Sequence, residues 1–185
     1  MQYIFTGASG TGKTTILNLM RTFVPEYEFK TEVVRSLIKE KGIQINEKGT
    51  RTSQELVFMA YLDFLILNRE KDYVSDRCII DPLAYTILGV RMGKIPHEVL
   101  NYQWDIVQTM VDNGYLKKVY YFPIEFANVH DGVRSDDENY RKETDSVIKD
   151  ILDSLVIKYP DKFEYETVHG TPLERVSQIL KKEVK

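Results

Sequence analysis

Residues 7–14 read GASGTGKT. The glycine, lysine and threonine spacing, G-x-x-x-x-G-K-[ST], is suited to holding a polyphosphate. Gly7, Gly10 and Gly12 free the backbone to turn N–H groups inward as an anion nest, which Ala8, Ser9 and Thr11 complete. Lys13 adds a charge for the β- and γ-phosphates, Thr14 a hydroxyl for Mg2+, and Thr15 a contact to the α-phosphate. The context fits this chemistry. The apolar stretch QYIF (2–5) precedes the loop, and Ile16, Leu17, Leu19, Met20 and Phe23 follow it at helical spacing. A strand thus feeds a loop that opens a helix, whose positive dipole end faces the same anion. The tetrapeptide N-K-x-D, which would read guanine, is absent from the chain, and this favours ATP as the nucleotide.

Three further groups of residues could guide a transferred phosphate. SDRC (75–78) falls where a strand should end, the place where open α/β sheets bind ligands. Asp76 could hold Mg2+ or accept a proton, and Arg77 could clamp a phosphate or hydroxyl. In TEVVR (31–35), Glu32 and Arg35 lie three apart on one helix face. Glu32 beside a substrate hydroxyl would serve as general base. In DGVRSDDENYR (131–141), Arg134 and Arg141 could close over the polyphosphate and stabilise charge developing in transfer. Asp136, Asp137 and Glu138 are explained by a helix N-terminus rather than by a metal. His97, His130 and His169 show no metal-ligand spacing, and His169 falls where it could line a base pocket. Cys78 reads as a small packing residue.

The elements that must position these groups alternate in type. Strands are expected at 2–5, 26–31, 72–81, 117–123 and 162–168. Helices are expected from Thr14 to before Pro25, over 32–41 with Gly42 as C-cap, and from TSQE (52–55) to about Lys71. Others run from Pro96 to near Gly114, over 134–159 behind SDDE (135–138), and over 171–184 with Thr171 as N-cap and Pro172 next. Leu56, Met59, Ala60, Asp63, Phe64 and Leu67 form the expected stripe of the helix opened by TSQE. Five strands separated by helices imply βα units and a parallel sheet covered on both faces.

At 185 residues, 43% hydrophobic and 29% charged, the chain suits a single domain spanning 1–185. A formal net charge of -3 argues against a nucleic-acid partner. One cysteine excludes an intrachain disulfide. No apolar run approaches membrane-spanning length and the start lacks a signal-peptide pattern, so a cytoplasmic protein without a membrane partner is expected.

With these residues in view, the chain resembles the P-loop nucleoside and nucleoside-monophosphate kinases. Within them it looks most like the AAA_28/NadR-like group, which is similar to thymidylate kinase and deoxynucleoside kinase. GASGTGKTT, TEVVR, DRCIIDPLAY (76–85) and GVRSDDENYR carry the resemblance. It implies a three-layer α/β/α sandwich, a five-stranded sheet in the order 2-3-1-4-5, a lid over about 128–141, and ATP with Mg2+ as cofactors. It further implies that Asp76 and Arg77 end the third strand and that Glu32 acts toward a 5′-hydroxyl. Arg134 and Arg141 would reach the donor phosphates, and the loop around Gly170 would hold adenine. Arg51, Gln54, Tyr61 and Tyr85, with Arg35 and Arg77, would line the pocket of a small-molecule acceptor. Related kinases are often dimers, so a homodimer is an expected assembly. The Asp-Pro-Gly stretch that thymidylate kinases carry after the second strand is missing, and Glu32 in its place leans towards a hydroxyl acceptor. A kinase acting on nucleic-acid bases or ends, and a regulatory ATPase switch, are the alternative readings.

Overall fold

The computed structural model describes residues 1–31, 33–127 and 137–181. Its centre is a five-stranded, wholly parallel sheet: β1 (Gln2–Thr6), β2 (Glu28–Lys30), β3 (Tyr73–Asp76), β4 (Lys118–Tyr121) and β5 (Glu164–Thr167) in the order β2-β3-β1-β4-β5. This is the order implied by the sequence resemblance. Side-chain alternation along the strands feeds two separate cores. Ile4, Tyr73, Val119 and Tyr121 point into one, while Tyr3, Phe5, Val74 and Tyr120 point into the other.

The first core is closed by α3 (Arg51–Leu67), α4 (Ile80–Arg91), α5 (His97–Asp112) and α6 (Glu138–Lys158). The second is closed by α1 (Lys13–Met20) and α7 (Pro172–Leu180). Helices on both faces make the α/β/α sandwich. Phe58, Ile79, Leu83 and Ile148 are each 0% exposed. Each contributes about 1.5–3 kcal/mol relative to an exposed position.

Several boundaries differ from those read in the sequence, each for a local reason. The strand expected over 72–81 stops at Asp76, and α4 begins only four residues later. Arg77 takes a left-handed φ of 85° that no strand continues through. The Asp81 carboxylate then accepts the Cys78 N–H at 3.0 Å, a local side-chain-to-backbone bond that starts a helix. Helix α3 is capped by Thr50, not by Thr52: the Thr50 hydroxyl accepts the Ser53 N–H and the Ser53 hydroxyl accepts the Thr50 N–H. Its buried stripe is Gln54, Val57, Phe58, Tyr61, Leu62 and Leu65, while Met59 and Leu67 are exposed at 45% and 76%. The helix is apolar almost all round, so periodicity alone could not choose the inward face, and the true one brings Gln54 and Tyr61 to a cleft. Helix α6 is capped by Asp137, whose Oδ1 accepts the N–H groups of Asn139 and Tyr140. At α7, the Thr171 cap with Pro172 next to it stands as the sequence suggests, completed by Glu174. Helix α2 (Val33–Lys41) ends at Gly42 with a φ of 61°.

Candidate active site

The loop between β1 and α1 wraps around the end of its own lysine. Lys13 is 4% exposed, and its Nζ donates to the carbonyls of Gly7 (2.8 Å) and Ala8 (2.6 Å) and to Thr11 Oγ1 (3.1 Å). Burial, then the positive Arg77 beside it, lowers its pKa to about 7, against the pull of Asp76 and Asp81. Gly7, at a φ of 140°, is required by sterics: a Cβ there would collide with the Phe122 carbonyl at the end of β4.

At the mouth of the loop, Thr14 Oγ1 donates to Asp76 Oδ2. The register of β1 with β3 sets Asp76 beside Phe5, at the strand end that feeds the loop, and the first turn of α1 brings the Thr14 hydroxyl to the same point. The other carboxylate oxygen, Asp76 Oδ1, is buried without a hydrogen-bond partner. Such an oxygen is costly unless something fills its coordination. A hydroxyl and a carboxylate are oxygen donors of the kind Mg2+ takes alongside substrate phosphates. Among the described residues no cluster of three or more His, Cys, Asp or Glu could hold a metal by itself. The Thr14–Asp76 pair therefore fits a cation shared with a nucleotide.

Next to Asp76, Arg77 turns its guanidinium back over the loop. Nη1 donates to Asp81 Oδ1 at 2.7 Å and to the Gly7 carbonyl at 3.2 Å. Burial opposes this charge, but Tyr85, Asp81, Tyr61 and Asp76 hold its pKa above the ordinary arginine value. Asp81 is 1% exposed and acts as the hub, because its Oδ2 also accepts from Thr6 Oγ1 (3.1 Å) and the Cys78 N–H. These bonds offset the roughly 1–2 kcal/mol cost of Arg77's left-handed backbone.

Loop and cleft are walls of one cavity of about 1090 Å3, open mouth included. One wall is Ser9–Thr15. Gln54, Tyr61, Tyr85, Arg35 and Asn46 also line the cavity. Tyr61 is buried and its hydroxyl pKa is raised by desolvation, as is that of Tyr85. A Cβ on Gly49 would stand 2.7 Å from Gln54 Nε2, so the missing side chain there leaves room for the amide.

The structure thus gathers Lys13, Thr14, Thr15, Arg35, Gln54, Tyr61, Asp76, Arg77 and Tyr85 around one space. Arg51 is not on its wall. It is an exposed residue paired with Glu55 (3.1 Å) and Glu98 (3.0 Å). Arg141 is wholly buried: its Nε donates to the Ser9 carbonyl (2.8 Å), its Nη2 to the Phe126 carbonyl (2.9 Å), and its Nη1 to Glu138. Glu32, Arg134 and His130 lie outside the described residues. Gly170, at a φ of 90°, forms a turn with His169 beyond β5. There Glu125 accepts from His169, Gly170 N–H and Arg175, and those hydrogen bonds outweigh desolvation and lower its pKa. The aromatic faces of Phe122 and Phe126 lie 5.4 and 5.0 Å from the Arg175 guanidinium.

Asp81 and Arg175 escaped the sequence reading. Asp81 lies four residues after Arg77, a spacing that signals contact only once α4 is known to be a helix. Arg175 is a charged residue beside Val176 on the inward face of α7, which was its available signal.

The AAA_28 family model, an AAA domain, matches residues 2–162. The chain belongs to this family. Its fold is shared with solved kinases. Deoxyadenosine kinase from M. mycoides with bound dATP superposes with a TM-score of 0.68 at 15% identity, over 98% of this chain and 97% of that one. The same enzyme with products dCMP and dCDP gives 0.64 at 14% identity, with the same coverage. NadR in complex with NAD and AMP-PNP gives 0.68 at 14% identity, over 100% of this chain and 50% of that one. No curated protein matches the chain. Among the described residues no helix is long and apolar enough to cross a membrane.

Proposed function

We propose that this chain is an ATP-dependent phosphotransferase that moves the γ-phosphate to a nucleoside or nucleoside monophosphate. One observation carries the reading: the phosphate loop and a tyrosine-lined cleft face each other across a single cavity, with Thr14, Asp76 and Arg77 between them. The triphosphate would lie on the inward N–H groups of the loop, with Lys13 leaving its carbonyls for the phosphates. Mg2+, held by Thr14 and Asp76 with the nucleotide, supplies neutralisation of phosphate charge. The acceptor oxygen attacks the γ-phosphorus, the bond to the β–γ bridging oxygen breaks, and ADP leaves. The acceptor's proton passes to a carboxylate. Asp76 is engaged with Thr14, which favours Glu32 as that base. Such catalysis is mostly positioning and electrostatics.

Tyr61 and Tyr85 offer aromatic surface and Gln54 offers an amide donor and acceptor, a combination suited to a base. Arg77 is already neutralised by Asp81 and bonded to Gly7, which favours a neutral hydroxyl over a second phosphate in the deep cleft. The similar kinase structures hold dATP in one case and AMP-PNP in another, which supports a nucleotide on the loop.

The test is ADP release from MgATP over a panel of nucleosides, nucleoside monophosphates and nicotinamide riboside. At least one nucleoside should raise turnover well above the acceptor-free rate. A flat panel would refute the reading.

A further inference from the structure

Two arginines from other elements grip the backbone of the phosphate loop from outside. Arg141, in the first turn of α6, donates from Nε to the Ser9 carbonyl at 2.8 Å. Arg175 of α7 donates from Nη1 to the Thr11 carbonyl at 2.7 Å. The two arginines are 2% and 1% exposed, and their remaining donors are engaged by Glu138 and Phe126 O in one case, Glu125 and Gly170 O in the other.

The consequence follows from peptide geometry. In a planar trans peptide the C=O of one residue and the N–H of the next point in opposite directions. Holding the Ser9 carbonyl outward aims the Gly10 N–H inward, and holding the Thr11 carbonyl outward aims the Gly12 N–H inward. The Gly7 carbonyl faces inward, where it accepts from Lys13 and Arg77. Glycines at 10 and 12, at φ of 70° and 91°, could otherwise rotate these planes at little cost.

We propose that Arg141 and Arg175 are positioning residues that fix which way the peptide planes of the phosphate loop face, and so set its affinity for polyphosphate. The proposal rests on the phosphotransferase reading. A substitution that keeps the positive charge but loses the guanidinium fork separates positioning from simple electrostatics.

The experiment measures binding of inorganic tripolyphosphate, which reports on the loop without a base, and of MgATP, by calorimetry. Arg175→Lys, which keeps the charge but loses the fork on the Thr11 carbonyl and Glu125, should weaken tripolyphosphate binding about tenfold, the scale of one lost hydrogen bond. If it binds as tightly as the wild type, the proposal is overturned. Should that variant not fold, Arg141→Lys, which loses the bond to the Ser9 carbonyl, serves in its place, and unchanged binding overturns the proposal equally. Wild-type protein that binds neither ligand would overturn the phosphate-loop reading itself, which separates the two failures.

Discussion

Raising the pH from about 6 to about 8.5 should weaken MgATP binding, and the size of the effect follows from Lys13. In the free protein its ammonium is buried among loop groups, with a pKa lowered to about 7 by burial and by Arg77. Polyphosphate anions beside the same nitrogen restore the charged form, so the bound state holds its proton well above that value. Affinity is therefore full below about pH 7 and falls as the free amine loses its proton, about tenfold per unit thereafter. Between about pH 6 and about pH 8.5 the loss is about thirtyfold. Calorimetry in two buffers of different ionisation heat should find almost no proton uptake at the lower pH and about one proton at the higher. Lys13→Met should abolish the difference, which separates it from titration of the nucleotide. Equal uptake in both proteins, or none in the wild type, would refute the reasoning. The same shift has a folding counterpart of opposite slope. The unfolded lysine, at 10.5, binds a proton that the folded one lacks, so stability of the free protein should rise with pH between about 7 and 10.5.

Asp76→Asn should lower turnover at least about a hundredfold, with Thr14→Ala less severe, read as magnesium-titrated initial rates. Tyr85→Leu should raise KM for the acceptor several-fold while leaving KM for ATP nearly unchanged, since the ring stands on the cleft side of the cavity. Gly7→Ala should cost about 3 kcal/mol or more in urea unfolding, because the new methyl meets the Phe122 carbonyl and φ is 140°. Arg51→Ala, at an exposed pair with Glu55 and Glu98, should leave the urea unfolding midpoint essentially unchanged.

How much of this was legible in the sequence depended on whether the signal was local. The phosphate loop states itself in eight residues, because the backbone angles it needs are available to glycine and the charge it needs comes from one lysine. The sheet order followed from the resemblance, and the alternation of strands and helices from apolar runs. Helix α4 was missed because its first residues, Ile80 and Asp81, fall within the strand expected over 72–81, and only the Asp81–Cys78 bond and the turn at Arg77 separate it from β3. The inward face of α3 was misread because apolar residues lie on all its sides. Arg175 was illegible for a different reason: it donates to a backbone carbonyl over a hundred residues away along the chain, and no spacing encodes such a contact.

The most direct measurement follows the phosphorus itself. MgATP carrying an isotopic label in its γ-phosphate is incubated with the nucleoside that best stimulates ADP release, and the products are separated by mass. Label on the nucleoside's hydroxyl oxygen, in step with ADP, is the expected result. Label recovered only as free phosphate, at a rate indifferent to the nucleoside, would contradict transfer across the cavity.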